Sequence, residues 1–373
     1  MKRLNPNPDQ NLNSKPSTLR ADCGCHTPRR GFLSGLLALG ASAVLPGCAN
    51  SSSSGAGQVP SVGTFRNRID THHHLFSPAY VAELAKVNQA PPIVRNWSLA
   101  RTLADMDKAG IATSILSVTT PQVGVFDAAS AVRIARESNE WTATVGKDYP
   151  GRFGSFAMLP MHSMDAALKE LEYALDVLKA DGIGLLTSYG DKWLGHPSFA
   201  PVMDELNRRK AILYTHPTSA NCCNNLLADI PATVIEFGTD TTRTITDIVF
   251  SGTAARCPDV KFIFSHAGGT LPFITERLTK LPVQDPKLAA RVPNGVLHEL
   301  KRFYYDTAWA AHPGALASLT KLVDVSQILL GSDYPYRTAE DNVNGLYAYG
   351  FSSAELRAIE RGNAQRLMPR WGA

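Results

Sequence analysis

The strongest constraint on the fold is a regular alternation of two patterns along residues 65–373. Short apolar segments rich in β-branched and aromatic residues alternate with longer segments in which apolar residues recur at helical spacing. The predicted strands are residues 65–70, 112–118, 153–159, 182–187, 211–215, 261–265, 303–307 and 327–331. Eight strand–helix units in one stretch predict a single α/β domain, a (β/α)8 TIM barrel, with a doubly wound parallel sheet as the alternative.

The predicted helices fill the intervals between these strands. They span residues 99–109, 128–147, 164–179, 201–210, 242–257, 272–280, 314–323 and 354–367. Ser163 and Ser353 stand directly before two of them, where a hydroxyl can cap free backbone N–H groups. In a barrel of this kind the chemistry comes from the carboxyl ends of the strands, so the functional side chains are expected there.

Three consecutive histidines follow the first predicted strand. Because side chains of an extended segment alternate between its faces, His72 and His74 point the same way and His73 points to the other side. Two imidazoles on one face can bind one divalent metal ion. A polar cluster at a strand end, without a metal, is the alternative.

Further metal-competent side chains follow other predicted strands. His216 follows the fifth strand, His266 the sixth and Asp333 the eighth. Their recurrence on one predicted rim favours a metal site over a solvated polar cluster. The remaining histidines beyond the leader lie in predicted loops or at helix edges and are expected outside this site: His162, His196, His298 and His312.

The first 48 residues are predicted to be an export signal. Arg29 and Arg30 precede the uncharged segment 32–45, which is too short to span a bilayer as a stable helix. The pair resembles a twin-arginine signal, and residues 45–48 resemble a bacterial lipobox with Cys48 as the lipidated residue. Ordinary signal cleavage nearby is the alternative. Residues 49–64, rich in Ser and Gly, are predicted to be a flexible linker, and the mature protein is expected in the periplasm, membrane-anchored if Cys48 is lipidated.

The predicted leader also explains the net charge. The chain has a formal charge of +4, and residues 1–48 hold six of its 37 basic and two of its 33 acidic residues. The remainder is formally neutral, which gives no support for nucleic acid as a partner. Beyond Cys48 the cysteines are Cys222, Cys223 and Cys257, an odd number without a CxxC motif, so their pairing stays open.

The histidine and aspartate positions, with Ser265-His266-Ala267-Gly268-Gly269, carry a family resemblance. The chain resembles the amidohydrolase superfamily and, within it, the amidohydrolase-related branch of decarboxylases that act on aminocarboxymuconate semialdehyde, γ-resorcylate or 6-methylsalicylate. The resemblance runs from about residue 68 to residue 366, and segment 240–253 is most similar to the 6-methylsalicylate type. It implies a TIM barrel of the metal-dependent hydrolase type.

The same resemblance implies the roles of the site residues. It assigns His72, His74, His216 and Asp333 as metal ligands and His266 as a catalytic residue beside the ion. Binuclear members carry a carbamylated Lys at the end of strand four, whereas segment 182–188 contains no Lys. The resemblance therefore implies one divalent ion, and three imidazoles with one carboxylate suit Zn or Mn.

The implied activity is non-oxidative decarboxylation of an aromatic or unsaturated carboxylic acid, a small-molecule substrate. The metal would hold the carboxylate and a neighbouring oxygen, and Asp333 or His266 would deliver the proton. Two alternatives stay open: hydrolysis of a lactone or ester by a metal-activated water, and an exported metal-binding lipoprotein without catalysis.

Candidate substrate contacts follow from position. Side chains just after predicted strands are candidates for the pocket, with rim packing as the alternative: Phe76, Thr187, Trp193 and Tyr336. Arg277 lies eleven residues after His266. In the semialdehyde decarboxylase that the chain resembles, an Arg at this spacing reaches the neighbouring protomer's site, which implies a homodimer here; a solvated Arg is the alternative. The long connection 217–238 is expected to select the substrate.

Overall fold

The structure is a computed structural model that describes residues 65–223 and 226–372. The predicted signal, residues 1–48 with Cys48, and the predicted linker, residues 49–64, lie outside the described residues. Within the described residues, no helix is both long enough and apolar enough to span a membrane.

Eight parallel strands form the centre of the fold. In spatial order they are β1 (Arg68–His74), β2 (Ile111–Ser117), β3 (Phe153–Met158), β4 (Gly182–Leu186), β7 (Ile212–His216), β8 (Lys261–Phe264), β9 (Tyr304–Asp306) and β10 (Ile328–Leu329). The backbone N–H of Thr71 donates to the Leu330 carbonyl (2.9 Å), and that of His74 donates to the Tyr334 carbonyl (2.8 Å). These bonds join the first strand to the segment after the last. The TIM barrel is thereby confirmed, and the doubly wound alternative is wrong.

Two short strands and a set of helices surround this barrel. Strands β5 (Ser188–Tyr189) and β6 (Lys192–Trp193) form an antiparallel hairpin directly after β4. The α-helices of the described residues are α1 (Pro78–Lys86), α2 (Pro92–Arg95), α3 (Leu99–Ala109), α4 (Ala128–Asp148), α5 (Met164–Glu172), α6 (Ala200–Arg208), α7 (Glu236–Phe250), α8 (Thr253–Arg256), α9 (Leu271–Gln284), α10 (Pro286–Ala289), α11 (Val296–Arg302), α12 (Pro313–Leu322), α13 (Ala339–Tyr349), α14 (Ser353–Arg357) and α15 (Asn363–Leu367). Single π-helical turns continue α5 at Tyr173–Val177 and join α14 to α15 at Ala358–Gly362.

Strand β1 differs most from its predicted bounds. It begins at Arg68, three residues later than predicted, and continues through all three histidines. The reason is pairing with β2, which extends to His73 opposite Leu116 and His74 opposite Ser117. The metal-competent side chains of this strand are therefore fixed by sheet hydrogen bonds rather than by a loop.

Two helix starts were predicted wrongly. The helix predicted for residues 242–257 begins at Glu236 and stops at Phe250, because Gly252 takes a left-handed conformation (φ 82°) and a separate short helix follows. The cap predicted at Ser353 is at Ser352 instead, where the hydroxyl accepts from the Glu355 N–H and the Glu355 carboxylate accepts in return. The cap at Ser163 is as predicted, with its hydroxyl accepting from Ala166 N–H.

The apolar core has two layers. Side chains that alternate inward from the strands fill the barrel interior: Ile69, Ile115, Phe156, Tyr214, Ile263 and Leu329. A larger layer packs between the outside of the strands and the helices. Because the interior is filled, the histidines at the carboxyl ends of β1 and β7 lie against closely packed side chains that restrict their movement.

Candidate metal centre

Two adjoining segments of the closed barrel carry three of the four predicted ligands. Strand β1 places His72 and His74 on its inward face, and both side chains are fully buried. Asp333 follows β10 and is held at a left-handed φ of 65° by its backbone N–H, which donates to the His72 carbonyl (2.8 Å). A non-glycine residue in this conformation costs energy, and here the barrel closure imposes it. The fourth predicted ligand, His216, is the last residue of β7.

The structure brings these four side chains into one cluster. Their candidate ligand atoms all lie within 4.8 Å of one another, and all four residues are buried. Asp333 Oδ1 is 2.8 Å from His74 Nε2, 3.1 Å from His72 Nε2 and 4.0 Å from His216 Nε2. Three nitrogens and one carboxylate oxygen form a donor set that suits Zn or Mn.

Hydrogen bonds on the far side of each imidazole test whether the cluster fits an ion. All three predicted ligand histidines use Nδ1 towards a protein oxygen. The acceptors are Asp306 Oδ2 for His72 (2.8 Å), the Ser117 carbonyl for His74 (3.2 Å) and the Pro217 carbonyl for His216 (2.9 Å). With Nδ1–H used as a donor on this side, Nε2 is the atom of each imidazole that can bind an ion, and all three Nε2 atoms face the common centre, as metal ligation requires. The residues present fit a divalent ion.

Asp306 was missed by the sequence reasoning. It ends β9 and is fully buried. Besides His72 Nδ1, it accepts the backbone N–H groups of His266 and Ala308, each at 3.0 Å from Oδ1. The Asp306 carboxylate thus orients the His72 imidazole and the backbone of His266. The signal was available, because Asp306 stands at the carboxyl end of a predicted strand.

A second buried carboxylate fixes the outward side of β1. Asp70 accepts from His73 Nδ1 (2.9 Å) and from the hydroxyl (2.5 Å) and backbone N–H (3.0 Å) of Ser332. His73 points away from the cluster and stacks on Tyr334, with ring centroids 4.8 Å apart. The alternation predicted for the three histidines is present, and His73 serves the closure of the barrel.

His266 lies beside the cluster on the turn after β8. Its Nδ1 donates to the Ala308 carbonyl (3.0 Å), and its ring centroid is 4.9 Å from that of His72. The turn is tight: His266 has φ 55°, and a side chain on Gly268 would meet the Tyr305 ring at 2.9 Å. Gly269 faces the Gly238 carbonyl closely enough to exclude any side chain. The two glycines therefore allow the turn that sets His266 with Nε2 free.

Burial and charge separate the protonation states of the cluster. Burial lowers the pKa of His72, but the carboxylates of Asp306 and Asp333 outweigh it and raise the pKa to about 10. Burial lowers the pKa of His74, and together with the neighbouring imidazoles it holds the pKa of His216 well below 6.5. Burial would raise the pKa of Asp333, yet the His72 charge and the close contacts with the His72 and His74 imidazoles hold it well below 3.8. Asp333 is therefore an anionic acceptor.

Burial also acts on His266. It lowers the pKa of this imidazole, and the nearby His72 charge lowers it further. His266 is therefore neutral at neutral pH, with its proton on Nδ1 and its Nε2 able to accept or pass on a proton.

The candidate substrate contacts have different surroundings. Thr187 and Trp193 both donate to Asp240, a fully buried residue of α7; the indole distance is 2.6 Å. Ser188 donates to the same carboxylate (3.0 Å). Phe76 is buried in the apolar layer, edge-on to Trp97. Contact of these side chains with substrate stays a prediction, and Asp240, which ties the β5–β6 hairpin to α7, was not foreseen.

Tyr336 and Arg277 are the more accessible candidates. The Tyr336 ring lies edge-on to His74, with centroids 5.8 Å apart, and burial together with the Asp333 charge raises the pKa of its hydroxyl. Arg277 is exposed on α9. The structure thus brings Tyr336 to the ligand cluster and leaves Arg277 on the surface of the chain.

A cavity of about 620 Å3 opens on the same rim. Its walls come from the segments after β2, β3, β4 and β7, among them Thr120, Met161, Leu186, Tyr189, Thr218 and Asn221. The connection from β7 to α7 contributes one wall; its described part contains the short 3-10 turns Asn221–Cys223 and Ala232–Val234. The Thr218 hydroxyl contacts that of Thr120 (3.0 Å), which anchors the start of this connection.

Comparisons with known proteins agree with this geometry. Residues 69–370 match the family model described as amidohydrolase. The chain is 37% identical over 326 residues to the decarboxylase yanB of Aspergillus niger, covering 82% of this chain and 88% of that protein. It is 33% identical over 314 residues to the 6-methylsalicylic acid decarboxylase of Penicillium expansum, covering 81% of this chain and 96% of that protein.

A solved structure shows the same fold. The dihydroxybenzoic acid decarboxylase of Polaromonas sp. JS666, solved with bound manganese and the inhibitor 2-nitroresorcinol, superposes with a TM-score of 0.73 at 22% identity. The alignment covers 82% of this chain and 97% of that one. The barrel and its helices are therefore shared over nearly the whole of that protein.

Proposed function

Because this chain belongs to the amidohydrolase family, we propose that it is a metal-dependent, non-oxidative decarboxylase of an aromatic carboxylic acid. The observation that carries the proposal is the cluster of three imidazoles and the Asp333 carboxylate at the barrel rim, in a chain 33–37% identical to decarboxylases over most of its length. The lactonase or esterase alternative has no comparable support among these relatives, and a barrel without catalysis would not need a free Nε2 on His266.

The ion would be held by His72, His74, His216 and Asp333. When bound, a divalent ion supplies Lewis acidity and a template for the carboxylate and a neighbouring oxygen. Asp306 orients one of these residues by keeping the proton of His72 on Nδ1, and all four predicted ligands are buried. The overall change replaces the carbon–CO2 bond by a carbon–hydrogen bond, so one proton must be delivered to the ring.

Two groups compete for that proton delivery. His266 carries its proton on Nδ1 and must first take one at Nε2 before it can donate from that atom. Asp333 Oδ1 lies 2.8 Å from His74 Nε2 and 3.1 Å from His72 Nε2, and its pKa is held well below 3.8, so Asp333 can carry a proton only when substrate and ion change its surroundings. Single-turnover reactions in D2O with the variants H266N and D333N separate the two, because only loss of the true donor abolishes ring deuteration in protein that still binds the ion.

The activity is tested with purified protein and 2-hydroxybenzoates that carry an alkyl group at position 6. We expect release of CO2 and one equivalent of the phenol. His266→Ala should retain the ion and lose turnover, whereas His298→Ala, an exposed histidine on α11, should match the wild type. Equal rates for His266→Ala and the wild type would remove His266 from the reaction. Ring opening of a lactone without CO2 release would overturn the proposal in favour of hydrolysis.

We propose a single ion per chain, with manganese as the first candidate. The support is the absence of Lys from segment 182–188 and the manganese in the structural neighbour. Metal analysis of the purified protein, followed by removal and separate addition of Mn and Zn, decides the identity. A higher rate with Zn at equal occupancy would contradict the manganese assignment.

We also propose a homodimer in which Arg277 of one protomer serves the other's site. The support is its exposed position on α9 and its place eleven residues after His266. Mixed Arg277→Ala and His266→Ala dimers would contain one intact site each, so mixing two inactive variants should restore roughly a quarter of the wild-type activity. No recovery after subunit exchange would contradict the shared site.

The export proposal rests on the leader alone. We propose that residues 1–48 direct the folded protein to the periplasm and that Cys48 receives a lipid anchor. Replacement of Cys48 by Ser should release the protein from the membrane fraction, whereas Cys25→Ser should leave its distribution unchanged. Recovery of the wild type from the cytoplasm with its leader uncleaved would contradict both proposals.

A further inference from the structure

The connection between β7 and α7 carries two adjacent cysteines. Cys222 and Cys223 lie on the turn Asn221–Cys223, with Sγ atoms 2.7 Å apart. Cys222 is exposed and Cys223 is buried. Two sulfurs in direct contact on one turn, one of them open to solvent, are arranged for reaction with each other.

The third described cysteine is out of reach of this pair. Cys257 directly follows α8, four residues before β8 begins, so it lies at the amino-terminal end of the strands. Cys222 follows His216, at their carboxyl-terminal end. A strand of four residues alone spans about 13 Å, whereas a disulfide joins Cα atoms no more than about 7 Å apart. Cys257 is also fully buried. Pairing between Cys257 and either of the adjacent cysteines is therefore excluded.

We propose that Cys222 and Cys223 form a vicinal disulfide under oxidising conditions and that this bond fixes the turn at the wall of the rim cavity. Asn221, directly before the pair, lines the cavity. Thr218 anchors the start of the connection through its N–H, which donates to the Thr187 hydroxyl (3.2 Å). A disulfide between Cys222 and Cys223 would lie directly after Asn221 and four residues after Thr218. Its ring would remove the remaining backbone freedom of the turn.

The oxidation is a thiol–disulfide exchange with a small-molecule or protein disulfide as the oxidant. The Cys222 thiolate attacks one sulfur of the oxidant and releases the other as a thiolate. The Cys223 thiolate then attacks Cys222 Sγ, which forms the new S–S bond and releases the second thiolate. The two cysteines are oxidised by two electrons, the oxidant disulfide is reduced to two thiols, and their two protons go to those thiols. Contact with Cys223 raises the pKa of the Cys222 thiol, so the exchange should speed up with increasing pH.

Trypsin separates the relevant cysteines cleanly. Cleavage after Lys210 and Arg243 gives peptide 211–243 with both adjacent cysteines, and cleavage after Arg256 and Lys261 gives peptide 257–261 with the third. The purified full chain is incubated with oxidised glutathione, quenched in denaturant with N-ethylmaleimide and digested. We expect peptide 211–243 to be lighter by two hydrogens with no label and peptide 257–261 to carry one label. Two labels on peptide 211–243, or a cross-link between the peptides, would overturn the proposal.

A second readout tests the effect on the turn. Reduction with a phosphine, which avoids the metal chelation of dithiols, should increase hydrogen exchange in the peptide that spans the turn by several-fold while the β1 peptide is unchanged. The double variant C222S/C223S should exchange as the reduced protein does with or without glutathione. Equal exchange of oxidised and reduced protein would overturn the role in fixing the turn.

Formation of the disulfide in the cell rests on the proposed export. The same tryptic digest tests the disulfide and the export separately. An unlabelled peptide 211–243 from periplasmic extracts supports both proposals. A fully labelled peptide from cytoplasmic protein, together with ring closure by glutathione in the purified protein, would count against the export and leave the pairing supported.

Discussion

Replacement of Asp306 by Asn should weaken metal binding without removing a ligand. In the wild type, Oδ2 accepts from His72 Nδ1 at 2.8 Å, while Oδ1 accepts two backbone N–H groups at 3.0 Å. An Asn amide oxygen can keep the two backbone donors, which turns the NH2 group towards His72. The imidazole must then accept at Nδ1, and its proton moves to Nε2, the atom that faces Asp333 at 3.1 Å.

The magnitude follows from the cost of the wrong tautomer. To bind the ion through Nε2, His72 must return its proton to Nδ1, where it would face the amide donor in a fully buried site. An unsatisfied buried donor costs about 1–3 kcal/mol. Loss of a partner behind a metal ligand typically lowers affinity about 10- to 100-fold, or about 1.4–2.7 kcal/mol. The two ranges agree, so we expect an affinity loss of this size.

The assay is competition between metal-free protein and a chromogenic chelator, with Mn and with Zn. Asp324→Asn, an exposed aspartate before the turn Val325–Gln327, serves as the control and should bind as the wild type does. Turnover of Asp306→Asn should recover at high metal concentration because the catalytic groups remain. An affinity within twofold of the wild type, in a variant with unchanged circular dichroism, would refute the reasoning about His72.

Three further predictions follow from the described contacts. Asp240→Asn replaces an acceptor of hydrogen bonds from three side chains, including Trp193, by a group that also donates, so the free energy of unfolding in urea should fall by roughly 2–3 kcal/mol; an unchanged midpoint would contradict this. Hydrogen bonds and charge from Arg208 and Arg209 lower the pKa of Glu205 from 4.5 to about 2, so Glu205 contributes stability above pH 4.5 that disappears as the pH falls towards 2. The stability difference between wild type and Glu205→Gln, measured by urea titration, should therefore shrink across that range, and a constant difference would contradict the ion pairs. Removal of the ion by a chelator should abolish CO2 release and lower the melting temperature. Adding the ion back at 100 times its dissociation constant should raise the free energy of unfolding by about 2.7 kcal/mol.

The sequence predicted what depends on local pattern. The alternation of strand and helix segments is a local property, so the barrel and most strand positions followed from it. The barrel then determined where side chains after different strands meet, which is why His72, His74, His216 and Asp333 were predicted together, with the resemblance assigning their roles. Such an argument needs only the order of strands and the rule that their carboxyl ends share one rim.

The rest depends on contacts between distant segments. The extension of β1 through His74 depends on pairing with β2, and α7 starts early at Glu236, a buried residue whose environment depends on tertiary structure. Asp240 orients the hairpin from a helix 47 residues after Trp193, a separation at which no local pattern signals a hydrogen bond. The structure also shows Thr187 and Trp193 engaged with that carboxylate, an arrangement that their place after β4 did not reveal.

The most direct test of the account is the rate of labelled CO2 release from a carboxyl-labelled 6-alkyl-2-hydroxybenzoate, measured as the number of ions bound per chain is increased from zero. We predict no release without metal, a linear rise with occupancy and a maximum at one ion per chain. Release from metal-free protein, a maximum only at two ions per chain, or no release at full occupancy across the substituted series would contradict it.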